Sequence, residues 1–198
     1  AIDFISQALL SQRKLFESFI NNPADNKRSA ITEIIEDSIF KSSYQINKEV
    51  MNDPQRKKMG TSLSLLLLLG KHAFLAHVGD SSIFLTRGGE LHKLTHDKTV
   101  DKGQSDKTQL ALNSSRGGER ESRFVDTLGF DGDISLELLF LELAPGDSFL
   151  LCTNGLLGQM EKSKIHQIIE KDKGGDVTTL LMSKAKDKGL LASTALVS

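Results

Sequence analysis

Cysteine, proline and tryptophan are scarce in this sequence, and it has no long apolar run. Its 198 residues include one cysteine, three prolines and no tryptophan. The single cysteine, Cys152, excludes an internal disulfide and a zinc site built from several cysteines. The longest apolar run, residues 65–69, is far too short to span a bilayer, so we expect no membrane partner. Its unbroken apolar character predicts a strand buried on both faces.

The sequence also lacks an excess of either charge. Lysine and arginine total 25 against 26 aspartates and glutamates, which leaves a formal net charge of −1. This balance offers no electrostatic attraction for nucleic acid, so we expect no nucleic-acid partner. The hydrophobic fraction of 38% and charged fraction of 26% are typical of a globular protein. We therefore predict a single folded domain over residues 1–198, located in the cytoplasm.

Apolar periodicity changes along the chain and predicts its organisation. Residues 1–52 show helical spacing and predict a pair of helices. Residues 60–95 consist of short apolar runs separated by glycine-containing turns, a pattern that predicts an antiparallel meander. Residues 96–130 form a polar excursion, and residues 134–198 predict a β-hairpin, two helices and a last strand. Strands and helices do not alternate regularly, which favours an α+β fold of antiparallel sheets with helices on their outer faces.

Four motifs occur in order along this chain. They are Gly60-Thr61-Ser62-Leu63, Val78-Gly79-Asp80-Ser81, Leu94-Thr95-His96-Asp97, and Pro145-Gly146-Asp147 followed by Leu150-Leu151-Cys152-Thr153-Asn154-Gly155-Leu156. Their order and spacing resemble the metal-dependent serine/threonine phosphatases of the PP2C (PPM) family. The resemblance implies a sandwich of two antiparallel β-sheets flanked by helices, in αββα layers.

The resemblance also implies a metal site at the edge of the sandwich, where carboxylates of the family hold two Mn²⁺ or Mg²⁺ ions. Asp80 keeps an acidic family position, one that contributes to an extra, weaker metal site. Asn154 stands where the family has a metal-binding aspartate, and a neutral amide oxygen there removes one negative charge. Near Ala192 and Ser193, where the family has an Asp-Asn pair, this sequence has no carboxylate. The metal site that the resemblance predicts is therefore degenerate.

Two further family elements are missing from this sequence: the R-x-x-N-E-D strand and the D-G-x-G-G turn that carries the bridging aspartate. The sequence starts at what would be the first helix after that turn. We accordingly expect the family's N-terminal strands to be missing from this chain.

Simpler interpretations exist for both candidate metal positions. Gly79-Asp80 is common turn chemistry, and we favour a turn over metal binding because the partner ligands are missing. Asn154 precedes Gly155 and fits a turn in the left-handed conformation, which asparagine tolerates. For Asn154 we favour a degenerate ligand position, since the whole preceding hairpin matches the family.

Three arginines in the polar excursion, Arg116, Arg120 and Arg123, suggest phosphoprotein binding. Guanidinium groups pair readily with phosphate oxygens, and the equivalent segment of the family is a flap beside the active site. Glu119 and Glu121 are interleaved with these arginines, however, and a self-neutralising solvated surface is the interpretation we favour.

The remaining nucleophilic and titratable side chains show no catalytic signature. The five histidines are scattered along the sequence, and no nucleophile, base and orienting group converge locally. We expect packed or half-exposed histidines at positions 72, 77 and 92, a surface histidine at His166, and no catalytic role for His96. Cys152 lies in an apolar strand and is expected to be an inert core thiol.

Three functions are compatible with these features. The leading hypothesis is a PP2C-like pseudophosphatase, catalytically inactive and without a cofactor, that binds a partner protein, an adjacent domain or a phosphoprotein. The second is an active Mn²⁺- or Mg²⁺-dependent phosphatase whose N-terminal metal-binding segment is absent from this chain. The third is a structural subunit, because missing first strands would expose sheet edges that favour assembly.

Overall fold

Two antiparallel β-sheets pack face to face, with helices on both outer surfaces. The computed structural model describes residues 1–53, 55, 59–96, 127–129, 134–158, 160–171, 176–186 and 194–197. The helices are α1 (Ile2–Leu10), α2 (Arg13–Asn21), α3 (Asp25–Asn52), α4 (Asn154–Leu157), α5 (Lys162–Lys171) and α6 (Val177–Lys186). The strands are β1 (Leu63–Leu69), β2 (His72–Val78), β3 (Ser82–Arg87), β4 (Glu90–Lys93), β5 (Glu137–Glu142), β6 (Ser148–Cys152) and β7 (Thr194–Val197). The predicted α+β architecture is confirmed.

The predicted meander is divided between the two sheets. One sheet has the strand order β1-β2-β5 and the other has β4-β3-β6-β7. Strands β2 and β3 are consecutive but do not pair, so the expectation of a continuous meander over residues 60–95 is wrong. The chain leaves the first sheet at Gly79, whose φ of 102° suits glycine, and enters the second sheet at Ser82. This crossing places Asp80 at one end of the sandwich.

Three apolar layers hold the sheets and helices together. One lies between the first sheet and α1 to α3, a second between the sheets, and a third between the second sheet and α4 to α6. Strand β2 contributes to two of them, since successive side chains of a strand point to opposite faces. Phe74 and Ala76 pack toward the helices, whereas Ala73 and Leu75 pack between the sheets.

Strand β1 differs from its prediction in burial. The apolar run at residues 65–69 forms the expected strand, but its side chains are mostly half-buried and Leu68 is 39% exposed. The prediction of burial on both faces is therefore wrong. The reason is topological, because β1 lies at the edge of its sheet and only β2 pairs with it among the described residues.

The first predicted helix is in fact two helices, α1 and α2, separated at Ser11 and Gln12. The long helix α3 buries Ile31, Ile35 and Ile39, which lie four residues apart and so share one face. Among the described helices, none combines the length and apolar character that crossing a membrane requires.

Arg87, at the end of β3, forms an ion pair within its own sheet and a hydrogen bond to the other sheet. Arg87 donates from Nε and Nη2 to the two carboxylate oxygens of Asp147, at 2.9 and 2.6 Å. Its Nη2 also donates to the backbone oxygen of Glu142 on the other sheet, at 2.8 Å. Asp147 additionally accepts from the backbone N–H of Ala144, which closes the turn at Pro145 and Gly146. The Pro-Gly-Asp motif is therefore structural here.

Candidate functional site

Asp80 and Asn154 meet at the opposite end of the sandwich. Asp80 lies in the bend between β2 and β3, and Asn154 follows β6 as the first residue of α4. Strands β3 and β6 are neighbours, with Ser82 opposite Cys152, so the residues just outside this pair are brought together. The Asn154 Nδ2 donates a hydrogen bond of 3.1 Å to Oδ2 of Asp80. The two candidate metal positions are therefore hydrogen-bonded to each other.

The backbone conformation at Asn154 tests whether this residue lies in a left-handed turn. Asn154 begins α4 after Thr153, which is extended with φ −81° and ψ 162°. The interpretation of Asn154 as a left-handed turn residue is therefore wrong. Helix α4, only four residues long, was not predicted, because a Gly-containing segment this short carries no helical periodicity.

The side-chain atoms at this contact are not a suitable set of ligands for two divalent cations. Hard cations such as Mn²⁺ and Mg²⁺ are bound by several oxygens, most of them anionic. Asp80 supplies one carboxylate, and Asn154 supplies an amide whose N–H points at that carboxylate. Within the described ranges, no group of three or more His, Cys, Asp or Glu side chains is placed to hold a metal ion. These two residues alone therefore support no metal-dependent step.

A buried polar network lies directly behind Asp80. His77 is 3% exposed, and its Nε2 lies 3.1 Å from the backbone oxygen of Gly79. Its Nδ1 lies 3.3 Å from Oγ of Ser64, which is in turn 2.7 Å from Oγ of Ser81. The network therefore connects β1, β2 and the bend just before β3. The predicted packing of His77 within its strand is confirmed.

Burial lowers the pKa of the His77 ring and so favours its neutral form, against the opposing backbone hydrogen bonds at Gly79 and Leu63 and the nearby Glu137 carboxylate. The Lys93 charge also lowers the pKa. A carbonyl oxygen only accepts, so the neutral tautomer with its proton on Nε2 is the one that satisfies the contact with Gly79. Nδ1 then accepts from the Ser64 hydroxyl, and Ser81 donates to Ser64. Every polar atom in this assignment has a partner.

Glu137 connects this end of the sandwich to the residues after β4. It lies opposite His77 in the pairing of β2 and β5. One of its oxygens, Oε2, accepts from the backbone N–H of His96 at 3.2 Å and lies 3.5 Å from Nδ1 of His96. The His96 side chain itself is 85% exposed. Glu137 thus anchors the start of the polar excursion, a structural role that the sequence did not reveal.

Other predicted residues have different outcomes. Cys152 is buried among apolar side chains in the layer below α4 to α6, as expected of a core thiol. His166 is half-buried and its Nε2 is buried, so the expectation of a surface residue is wrong. It lies next to Ile165, which faces the core of the same helix. The arginines at 116, 120 and 123 and the residues at 192 and 193 lie outside the described residues.

The Ser64–His77 contact was missed but carried a sequence signal. Two-residue turns fix the register of a hairpin, and Gly70-Lys71 separates β1 from β2. Counting back from that turn pairs Leu69 with His72 and hence Ser64 with His77, which is the observed register. The contact of Ser64 with Ser81 and that of Asp80 with Asn154 had no such sequence signal, because they join segments that only the tertiary fold brings together.

Comparison with known families supports the architecture. The family model for protein phosphatase 2C matches residues 4–173 of this chain. The chain belongs to the protein phosphatase 2C family.

Curated relatives of this PP2C domain are bacterial protein phosphatases. The chain is 31% identical to the protein phosphatase PhpP of Streptococcus pneumoniae over 149 residues, which cover 74% of this chain and 61% of PhpP. It is 28% identical over 125 residues to the serine/threonine protein phosphatase PstP of Mycobacterium tuberculosis, covering 63% of this chain and 24% of PstP. The matched region therefore spans less than two thirds of either relative.

Solved structures show the same fold. A serine/threonine phosphatase of S. agalactiae superposes with a TM-score of 0.73 at 24% identity, covering 85% of this chain and 70% of that one. The catalytic domain of PstP in complex with 2 manganese ions gives a TM-score of 0.64 at 21% identity, covering 99% of this chain and 82% of that one. These likenesses establish the sandwich architecture of the PP2C domain.

Proposed function

We propose that this PP2C domain is a pseudophosphatase, which keeps the phosphatase fold but has lost metal-dependent hydrolysis. The observation that supports this proposal is the contact of Asn154 with Asp80, at 3.1 Å. An amide that donates to a carboxylate stands where the family resemblance places a metal-binding aspartate. The domain then acts in the cytoplasm as a regulatory module that binds a partner protein, an adjacent domain or a phosphoprotein.

Electrostatics favours this proposal. Two doubly charged cations repel each other strongly, and only surrounding anionic oxygens make their binding favourable. The contact offers a single negative charge, on Asp80, and Asn154 neutralises none of the positive charge. Ala192 and Ser193 add no carboxylate in the sequence near the last strand. Among the described residues, this contact thus lacks the negative charge that two bound divalent cations need.

A second candidate function is favoured by the relatives. PhpP and PstP are both named as phosphatases, and the PstP structure holds manganese. This chain would then be part of an active Mn²⁺- or Mg²⁺-dependent phosphatase, with the missing ligands supplied from outside residues 1–198. The metal, when bound, would supply an activated water for attack on the phosphorus.

Phosphatase activity and metal binding decide between these functions. Because the second function takes metal ligands from outside residues 1–198, the test uses the complete protein that contains these residues. It is incubated with p-nitrophenyl phosphate, with and without Mn²⁺ and a chelator, and Mn²⁺ binding is measured by isothermal titration calorimetry. The pseudophosphatase proposal predicts no Mn²⁺-dependent turnover and no binding of two metal ions. Turnover that rises with Mn²⁺ and disappears with chelator would contradict it and establish the second function.

The variant Asn154→Asp tests the electrostatic cause directly. A second carboxylate facing Asp80 adds one unit charge within about 4 Å of a cation, worth at least ~2 kcal/mol for a divalent ion even in water. We therefore expect the Asn154→Asp variant to bind Mn²⁺ with an affinity more than about tenfold higher than that of the natural chain. Asn22→Asp, at an exposed asparagine after α2, is the matched control and should leave Mn²⁺ binding unchanged. Equal Mn²⁺ affinity of the two variants would refute this cause.

A further inference from the structure

We infer that His77 is the positioning residue of the Asp80 turn, and that it acts through the proton on Nε2. This inference concerns the geometry of the turn and holds for either function proposed above. Asp80 itself is half-buried, in a bend outside regular structure. Its position therefore depends on how the residues on either side of it are held.

The peptide bond before Asp80 is fixed from inside the sandwich. The carbonyl oxygen of Gly79 and the N–H of Asp80 belong to the same planar peptide group. His77 donates to that carbonyl oxygen at 3.1 Å, so the orientation of the ring sets the orientation of the peptide plane. Gly79 has a φ of 102°, a conformation from which a glycine backbone rotates easily unless a partner restrains it.

The residue after Asp80 is held by the same network. Ser81 is 6% exposed, and its hydroxyl lies 2.7 Å from that of Ser64, the second partner of the His77 ring. Both neighbours of Asp80 are therefore connected to one buried imidazole. The Asp80 carboxylate is held against Asn154 as a result.

The ring has little freedom to move away from this position. Its side chain faces the interior between the sheets, in a row with Ser64 on β1 and Glu137 on β5. The next row of the same face is apolar, and consists of Leu66, Leu75 and Leu139. An imidazole confined between an apolar layer and two serine hydroxyls is a more rigid support than a surface side chain.

Three substitutions at His77 separate its two hydrogen bonds. His77→Gln places an amide donor near the position of Nε2 and can keep the bond to Gly79. His77→Asn places its amide near the position of Nδ1 and can keep only the bond to Ser64. His77→Phe keeps the ring volume and loses both bonds. His72→Gln, at the other end of β2, is the matched control.

The experiment measures the side-chain amide resonances of Asn154 by NMR, together with the melting temperature of each variant. We expect His77→Asn and His77→Phe to shift the Asn154 resonances toward those of a free asparagine, and His77→Gln and His72→Gln to leave them close to the natural chain. A purely structural role would lower the melting temperatures without this difference between the glutamine and asparagine variants.

Unchanged Asn154 resonances in folded His77→Phe would overturn the inference. So would a shift in His77→Gln as large as that in His77→Phe, because the Nε2 proton would then not be the connection. If His77→Phe does not fold, the comparison of the glutamine and asparagine variants still decides the question. A crystal structure of His77→Asn should show the Gly79 carbonyl rotated, and an unrotated carbonyl would also contradict the inference.

Discussion

The ion pair between Arg87 and Asp147 makes a strong prediction about stability. Asp147 has a side chain only 4% exposed and accepts three hydrogen bonds, two from Arg87 and one from the Ala144 backbone. In Asp147→Asn the charge is removed and one oxygen is replaced by an NH₂ group, which faces a donor whichever way the amide is turned. We expect this substitution to destabilise the fold.

The size of the effect follows from burial. Hydrogen bonds to charged groups contribute about 1.5–3 kcal/mol each when buried. Arg87 is 40% exposed, so water compensates part of the loss when its partner is removed. We therefore expect a decrease of about 2 kcal/mol in the free energy of unfolding, which is below the range of about 3–5 kcal/mol for breaking a pair in which both charges are buried.

Urea denaturation at neutral pH measures this decrease. With a denaturant dependence of about 2 kcal/mol per molar urea, the midpoint should fall by about 1 M. The control is Asp37→Asn, which breaks an ion pair with Lys41 in which both side chains are 64% exposed. Surface pairs of this kind contribute little, so that midpoint should hardly change. Equal midpoints for the two variants would refute the reasoning.

The pH dependence gives an independent check with a definite sign. The guanidinium of Arg87 holds the pKa of the Asp147 carboxyl below its usual value in the folded protein. A carboxyl with a depressed pKa contributes stability that is complete above its unfolded pKa, near 4, and is lost as the pH falls through its folded pKa. The stability difference between the natural chain and Asp147→Asn should therefore shrink below about pH 4. A difference that grows on acidification would contradict this assignment.

Two further substitutions test local structure. Gly129→Ala should destabilise the fold strongly in thermal unfolding, because a Cβ there would overlap the Ile46 side chain and the φ of +89° disfavours a side chain. Gly88→Ala, with a φ of +60° and open space around it, should show only the smaller cost of backbone strain. Asp176→Ala should fray the start of α6, since Asp176 accepts from the backbone N–H of Thr179 at 2.9 Å; hydrogen exchange would detect the loss. The hydroxyl and backbone hydrogen bonds of the Asp176 carboxylate lower its pKa to about 2, so the effect should persist at pH 5 and disappear as the pH approaches 2.

Local sequence patterns determined most elements of this protein. The four-residue spacing of Ile31, Ile35 and Ile39 determined α3, and the start of α6 is capped by Asp176, which accepts from the backbone N–H of Thr179. Both features depend on residues close together in sequence, so no knowledge of the tertiary fold was needed. The two-residue turn at Gly70-Lys71 even fixed the pairing of Ser64 with His77, because hairpin register follows from turn length.

Tertiary structure alone decided how these elements combine. The run at residues 65–69 is as apolar as a central strand, yet it lies at a sheet edge, and strand order is not encoded in the hydrophobicity of one segment. The contacts of Asp80 with Asn154 and of Arg87 with Asp147 join residues 74 and 60 positions apart. Such contacts depend on which strands become neighbours in a sheet, a property of the whole chain. The sequence could show that a carboxylate was replaced by an amide, but only the fold shows that this amide is hydrogen-bonded to Asp80.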